Sequence, residues 1–147
     1  MNERVAVLLG GTSSERAISL RSGEAVAQAL TRLGYEVVRF DPQECDWSDL
    51  KEEGVAKAFV ILHGRGGEDG TAQAILEWLQ IPYTGSGVLA SALAMDKWRT
   101  KLIWQALGLP VIPGYRVVRA EWERDPEGVV AAFARQVPPP LVCQTGS

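Results

Sequence analysis

Three residues of different chemical type stand beside glycine-rich turns in this chain: a carboxylate at Glu15, an imidazole at His63 and an ammonium at Lys97. Glu15 follows Gly10-Gly11-Thr12-Ser13-Ser14. An acid there can complement the positive end of a helix, the commoner role, or hold an ammonium group by a charge-assisted hydrogen bond. His63 is the only histidine. A lone histidine commonly serves structure. One placed where a buried strand opens into Gly64-Arg65-Gly66-Gly67-Glu68-Asp69-Gly70 can also donate to a substrate oxygen or titrate near neutral pH, and both roles stay open. Lys97, with Arg99 and Lys101, reads as a solvated helix face, yet Lys97 opens its helix, where an ammonium can reach a phosphate. Glu68 and Asp69 are adjacent acids without further ligands. Helix capping by Asp69 or Thr71 accounts for that pair better than a metal does, and no metal ligands are expected.

The elements that must position these residues alternate in type. Val5–Leu9 and Ala58–Leu62 are short apolar runs rich in β-branched residues, as suits strands covered on both faces, and Tyr35–Phe40 reads as a further strand. Between them, Ser13 or Ser14 can cap a helix with Val26, Ala29, Leu30 and Leu33 at helical spacing and Gly34 as its stop. Asp46–Glu53 holds a short, weakly signalled helix. Ala72, Ile75, Leu76 and Leu79 predict a helix after the second glycine loop. Ile81-Pro82-Tyr83 reads as a short edge strand and Val88–Ala94 as a short helix. Asp96 caps a helix bearing Trp98, Leu102, Ile103, Ala106 and Leu107, stopped by Gly108 and Pro110. Beyond it, Tyr115–Val118 reads as a strand, and Asp125-Pro126 opens a helix with Val129, Val130, Phe133 and Ala134 on its apolar stripe. The alternation predicts an α/β fold with a parallel sheet and a boundary near residues 95–110. Ligands of such sheets bind beyond the carboxyl ends of the strands. Three glycine-bearing loops, Gly10–Glu15, His63–Gly70 and Thr84–Ser86, are therefore expected to meet around one small-molecule site. The first loop lacks the G-x-G-x-x-G dinucleotide pattern, and there is no Walker lysine.

Bulk properties narrow the class. With 147 residues the chain can form one domain and the beginning of another. A net charge of -3 gives no general reason to expect nucleic acid or an anionic membrane as partner. Cys45 and Cys143 make no disulfide framework and no metal-ligand spacing. Met1-Asn2-Glu3-Arg4 runs directly into the first strand, so no signal peptide and a cytoplasmic location are expected.

Three longer stretches are specific. Leu8-Leu9-Gly10-Gly11-Thr12-Ser13-Ser14-Glu15-Arg16, with Ser19-Leu20 and Ser22-Gly23, forms the first. The second is Leu62-His63-Gly64-Arg65-Gly66-Gly67-Glu68-Asp69-Gly70-Thr71, and the third is Pro82-Tyr83-Thr84-Gly85-Ser86-Gly87 with Ser91 and Met95-Asp96-Lys97. In order and spacing, over residues 4 to about 118, the chain resembles the amino-terminal part of the D-alanine–D-alanine ligases. The resemblance implies a Rossmann-like, pre-ATP-grasp sheet flanked by helices over residues 1–96. An incomplete start of the ATP-grasp central domain is implied over 97–142, with an aberrant tail at 143–147. It also implies an ATP-dependent ligase for peptidoglycan precursor synthesis. In that reaction the carboxylate of the first D-alanine takes the γ-phosphoryl group of ATP, and the amine of the second attacks the acyl phosphate. ATP and magnesium are the implied cofactors and a homodimer the implied assembly. Residue by residue, the resemblance makes Glu15 the holder of the first ammonium, with Ile18 and His63 lining the same pocket and Lys97 reaching the ATP phosphates. Catalytic roles are thus implied for Glu15 and His63.

The likeness stops at the end. Where the family continues with a lysine and proline on an apolar strand, this chain has Cys143-Gln144-Thr145-Gly146-Ser147, with Gln144 at the lysine's place. A glutamine has no charge for a phosphate. A frameshift near Val142 is one expected explanation and a sequence scar the other. The chain alone is expected to have negligible ligase activity. A D-alanine–D-lactate ligase, a non-catalytic binding domain on the same fold and a pseudogene product are the alternatives.

Overall fold

The computed structural model describes residues 3–136. Val142, Gln144 and the 143–147 tail, on which several expectations rest, lie outside these residues. Strands β1 (Arg4–Leu8), β2 (Glu36–Phe40) and β3 (Lys57–Val60) form one sheet in the order β2-β1-β3, with every pairing parallel. β1 is central and takes the most continuous apolar run, Val5-Ala6-Val7-Leu8-Leu9, all buried. Alternate residues serve opposite faces, the period-two consequence of the pleat. Val7 and Leu9 pack with Leu20, Val26, Ala27 and Leu30 of α1 (Arg16–Arg32). Ala6 and Leu8 pack with Phe40, Leu50 of α2 (Asp49–Glu52), and Ala72 and Leu76 of α3 (Thr71–Trp78). The expected α/β layer structure, a parallel sheet flanked by helices, is present.

Several elements differ from the expectations. Ile81-Pro82-Tyr83 makes a single parallel bridge, Tyr83 to Ala58, and no longer strand. Leu33 is 74% exposed, because α1 ends one residue before it. The buried face of α1 is made instead by the small residues Ser19, Gly23 and Ala27. A Cβ on Gly23 would stand 2.4 Å from the Cβ of Leu9, so only glycine lets the helix lie this close to β1. The helix expected over Val88–Ala94 is present as α4 (Val88–Met95).

The chain divides into two compact units between Met95 and Asp96. In the second, α5 (Lys97–Ala106) is capped as predicted, with the Asp96 carboxylate accepting from the backbone N–H of Arg99 at 2.9 Å. Its apolar residues do not form a buried face: Leu102, Ile103 and Leu107 are all exposed. Tyr115–Val118 is not a strand, since no ladder partner for it exists among the described residues; the Tyr115 ring instead packs on Phe133, with centroids 6.2 Å apart. An unpredicted α6 (Arg119–Arg124) precedes α7 (Pro126–Gln136), which opens on Pro126 as expected. On its predicted stripe Val129 is buried, but Val130 is exposed.

Candidate active site

The first loop is built on two successive left-handed glycines, Gly10 (φ +79) and Gly11 (φ +76). Such a turn aims consecutive backbone N–H groups outward, and each must find an acceptor. Gly10 N–H donates to Ser19 Oγ (2.9 Å) and Gly11 N–H to Asp41 Oδ1 (3.0 Å). Arg16 closes the arrangement, donating to the Gly11 carbonyl at 3.0 Å and pairing with Asp41 Oδ2 at 2.7 Å. A Cβ at position 10, already strained at this φ, would lie 2.2 Å from Asp41 Oδ2 and displace the Asp41–Arg16 pair. Arg16, Ser19 and Asp41 were not among the site residues expected from sequence. Arg16 and Ser19 stand in the first specific stretch, but their bonds to Asp41 and Ile61, and the role of Asp41 itself, span up to 42 residues and leave no local spacing to read.

Neither Ser13 nor Ser14 caps α1. Glu15 occupies the cap position without a side-chain capping bond, and Ser13 Oγ accepts from the Glu15 N–H at 3.1 Å, a turn ahead of the helix. The Glu15 carboxylate is exposed and reaches the second loop. Its Oε2 stands 3.0 Å from where a Cβ on Gly64 would be, and Gly64 is left-handed (φ +66). The two glycine loops therefore touch at Glu15 and Gly64. Ile18, one turn further along α1, is 47% exposed.

His63 follows β3, half-buried, with Nδ1 3.6 Å from Glu68 Oε1. Its Nε2 is buried and has no hydrogen-bond partner among the described residues. A buried imidazole nitrogen left unpaired is costly unless a ligand or water completes it. Glu68 Oε2 accepts from the Gly64 N–H (3.0 Å), and Asp69 accepts from Gly66 N–H (3.0 Å) and Thr71 N–H (3.1 Å). Both acids thus hold the loop and the start of α3. Burial pushes the Asp69 carboxyl up, but its bonds to Gly66 and Thr71 outweigh that and hold it below the usual aspartate value. A cleft of about 180 Å³ opens here, with Gly11, Thr12, Leu62, His63, Arg65 and Thr71 in its wall. Glu15 is not part of that wall, nor is the Thr84–Ser86 loop. The latter lies against β3, where Thr84 Oγ1 accepts from the Val60 N–H (3.0 Å).

Lys97 belongs to the second unit, exposed at the first position of α5. An ammonium there suits one phosphate contact. Among the described residues no group of three or more His, Cys, Asp or Glu could hold a metal ion. No described helix is long and apolar enough to cross a membrane.

Comparison with known proteins bears on this geometry. The family profile described as "D-ala D-ala ligase N-terminus" matches residues 41–86, which include the His63 loop. Over 128 residues the chain is 59% identical to a D-alanine–D-alanine ligase of Aromatoleum aromaticum, covering 87% of this chain and 40% of that protein. The D-alanine–D-alanine ligase of Bacillus anthracis, solved in complex with ATP, is 34% identical with a TM-score of 0.67; 83% of this chain and 44% of that one are covered. The Aeromonas hydrophila enzyme is 28% identical with a TM-score of 0.71, covering 91% of this chain and 58% of that one. This chain thus spans about two fifths of the length of the curated relative it matches.

Proposed function

We propose, from the premise that this chain belongs to the D-alanine–D-alanine ligase family and spans its amino-terminal portion, that residues 1–96 bind the first D-alanine of an ATP-dependent D-alanyl-D-alanine synthesis. Glu15 holds the amino acid's ammonium, and His63 and Ile18 line the pocket around it. The observation that carries this reading is the meeting of the Glu15 carboxylate with the His63 loop at Gly64. An exposed carboxylate at a helix start that reaches the loop of a histidine, whose buried Nε2 is unpaired among the described residues, suits a small zwitterion. When bound, ATP would give its γ-phosphoryl group to the D-alanine carboxylate and leave as ADP; the amine of the second D-alanine would then displace phosphate from that carbonyl and lose a proton as the peptide bond forms. Residues 97–142 begin the ATP-grasp central domain, from which Lys97 contacts a phosphate. Positioning and charge neutralisation supply most of the rate in such chemistry. On the same reading the complete enzyme uses magnesium, works in the cytoplasm on a peptidoglycan precursor and forms a homodimer. The chain by itself turns over negligible ATP.

A chimera tests the reading: residues 4–118 of this chain replace the equivalent segment of the Aromatoleum aromaticum enzyme. The expected outcome is D-alanine-dependent release of ADP, with kcat/KM reduced at least about a hundredfold by Glu15→Gln, since a lost charge-assisted bond weighs roughly 3 kcal/mol. A folded chimera that releases no ADP, or one indifferent to Glu15→Gln, overturns it.

A further inference from the structure

We propose that Ser19 is a positioning residue: its hydroxyl is a wedge inserted between the carboxyl ends of β1 and β3, setting the separation of the loops that carry Glu15 and His63. The pairing pattern carries the inference. β1 and β3 are in register through Leu8 and Val60, and the next rung, Ile61 N–H to the Leu8 carbonyl, is intact at 2.9 Å. In a parallel ladder a residue on one strand donates to its neighbour strand and accepts from it two residues further on. The rung that should follow is therefore Gly10 N–H to the Ile61 carbonyl. It is not made directly. Gly10 N–H donates instead to Ser19 Oγ at 2.9 Å, and Ser19 Oγ donates to the Ile61 carbonyl at 2.6 Å. One hydroxyl from α1 thus sits inside the ladder and relays the bond.

Ser19 is 0% exposed, on the small-residue face where α1 lies closest to the sheet. A hydroxyl buried there would be costly unless both its donor and acceptor functions were used, and both are. The insertion comes where the two loops diverge. Ile61 is two residues before His63, and Ser19 is one turn after Glu15, whose carbonyl accepts the Ser19 N–H at 3.1 Å. Closing the rung would draw Gly10 towards Ile61 and, with it, the Glu15 turn towards the His63 loop.

The inference rests on the reading that Glu15 and His63 serve one amino-acid pocket, and its test has two arms so that the two claims can fail separately. The first uses this chain, whose only histidine is a built-in NMR reporter. Ser19→Ala is expected to shift the His63 ring signals and Ser19→Thr, which keeps the oxygen, to return them towards the parent. Leu30→Ala, in the last turn of the same helix, should leave them in place while lowering Tm. The second arm uses the active chimera. There Ser19→Ala is expected to raise the KM for D-alanine about tenfold and leave the KM for ATP within about twofold, as the loss of a buried hydrogen-bond relay at one subsite predicts. Should Ser19→Ala not fold, Ser19→Cys, whose larger sulfur widens the same gap, takes its place with the same outcomes. Unmoved His63 signals, or an unchanged D-alanine KM, overturn the positioning role. A parent chimera without activity overturns the ligase reading alone, and the His63 signals still decide the wedge.

Discussion

Asp41 and Glu44 both face the Arg16 guanidinium, at 2.7 and 3.1 Å, but they hold it to different purpose. The Asp41 side chain is 8% exposed and also accepts from the N–H groups of Gly11 and Gln43, whereas that of Glu44 is 70% exposed. Removing a buried carboxylate strands its donors; removing an exposed one returns its partner to water. Asp41→Ala should therefore cost about 3 kcal/mol in urea denaturation and Glu44→Ala under about 1 kcal/mol. Equal losses would mean that Asp41 does not hold the turn. Asp69 gives a prediction in pH. Its carboxyl sits below the ordinary value of 3.8 in the folded chain, so the unfolded chain binds the proton more readily. Its contribution is complete above that ordinary value and lost as pH falls through the folded one. Acid titration of stability should fall below about pH 4, and Asp69→Asn should be less stable at neutral pH with a shallower fall in that window. An unchanged slope would remove Asp69 from the account. The glycines after strand ends draw attention to Glu15 and His63 but leave the role of each open; the family resemblance makes the assignment. Asp41 is not marked in this way, since its partners at Gly11 and Arg16 become neighbours only once β2 pairs with β1. The one available signal was an acid directly after a strand, Phe40-Asp41-Pro42, which reads equally well as a turn.

At the scale of elements, α1 sets two tendencies against each other. Glycine inside a helix is worth about 1 kcal/mol less than alanine, so Gly23→Ala should stabilise an isolated α1. In the folded chain the added Cβ meets Leu9 Cβ at 2.4 Å, and neither helix nor strand can yield without shifting buried neighbours. Overpacking of that kind costs about 1–3 kcal/mol, so the clash outweighs the propensity and Gly23→Ala should lower Tm. A raised Tm would show that α1 is free to move off the sheet. The same closeness explains which parts of the fold were readable. Parallel strands are buried on both faces, so Val5–Leu9 and Ala58–Leu62 stand out as continuous apolar runs. The buried face of α1 does not, because close packing selects Ser19, Gly23 and Ala27 over large apolar residues, and a hydrophobic count favours Leu33 on the exposed end. Tyr115–Val118 has the composition of a strand, but composition cannot supply an adjacent edge to pair with.

For the whole molecule the distribution of buried residues matters most. Both apolar clusters are closed within residues 6–83, and among the described residues Val129 is the sole buried hydrophobic side chain after Met95. The second unit meanwhile exposes Leu102, Ile103, Trp104, Leu107 and Ile112. Since burial of apolar surface is the dominant favourable term in folding, cooperative stability should reside in the first unit. A chain cut after Met95 is therefore expected to unfold in one transition, with a Tm within about 5 °C of the whole chain, the shift that roughly 1 kcal/mol produces in a domain of this size. Residues 96–147 alone should show no cooperative melt. If the shortened chain lost its transition, the core of the first unit would have to depend on residues that its own clusters do not include. The sheet edge carrying Glu15, Ser19 and His63 would then need those residues as well. A folded 1–95 chain with parent-like His63 signals would instead place the whole scaffold of the amino-acid pocket within this one layer of strands and helices.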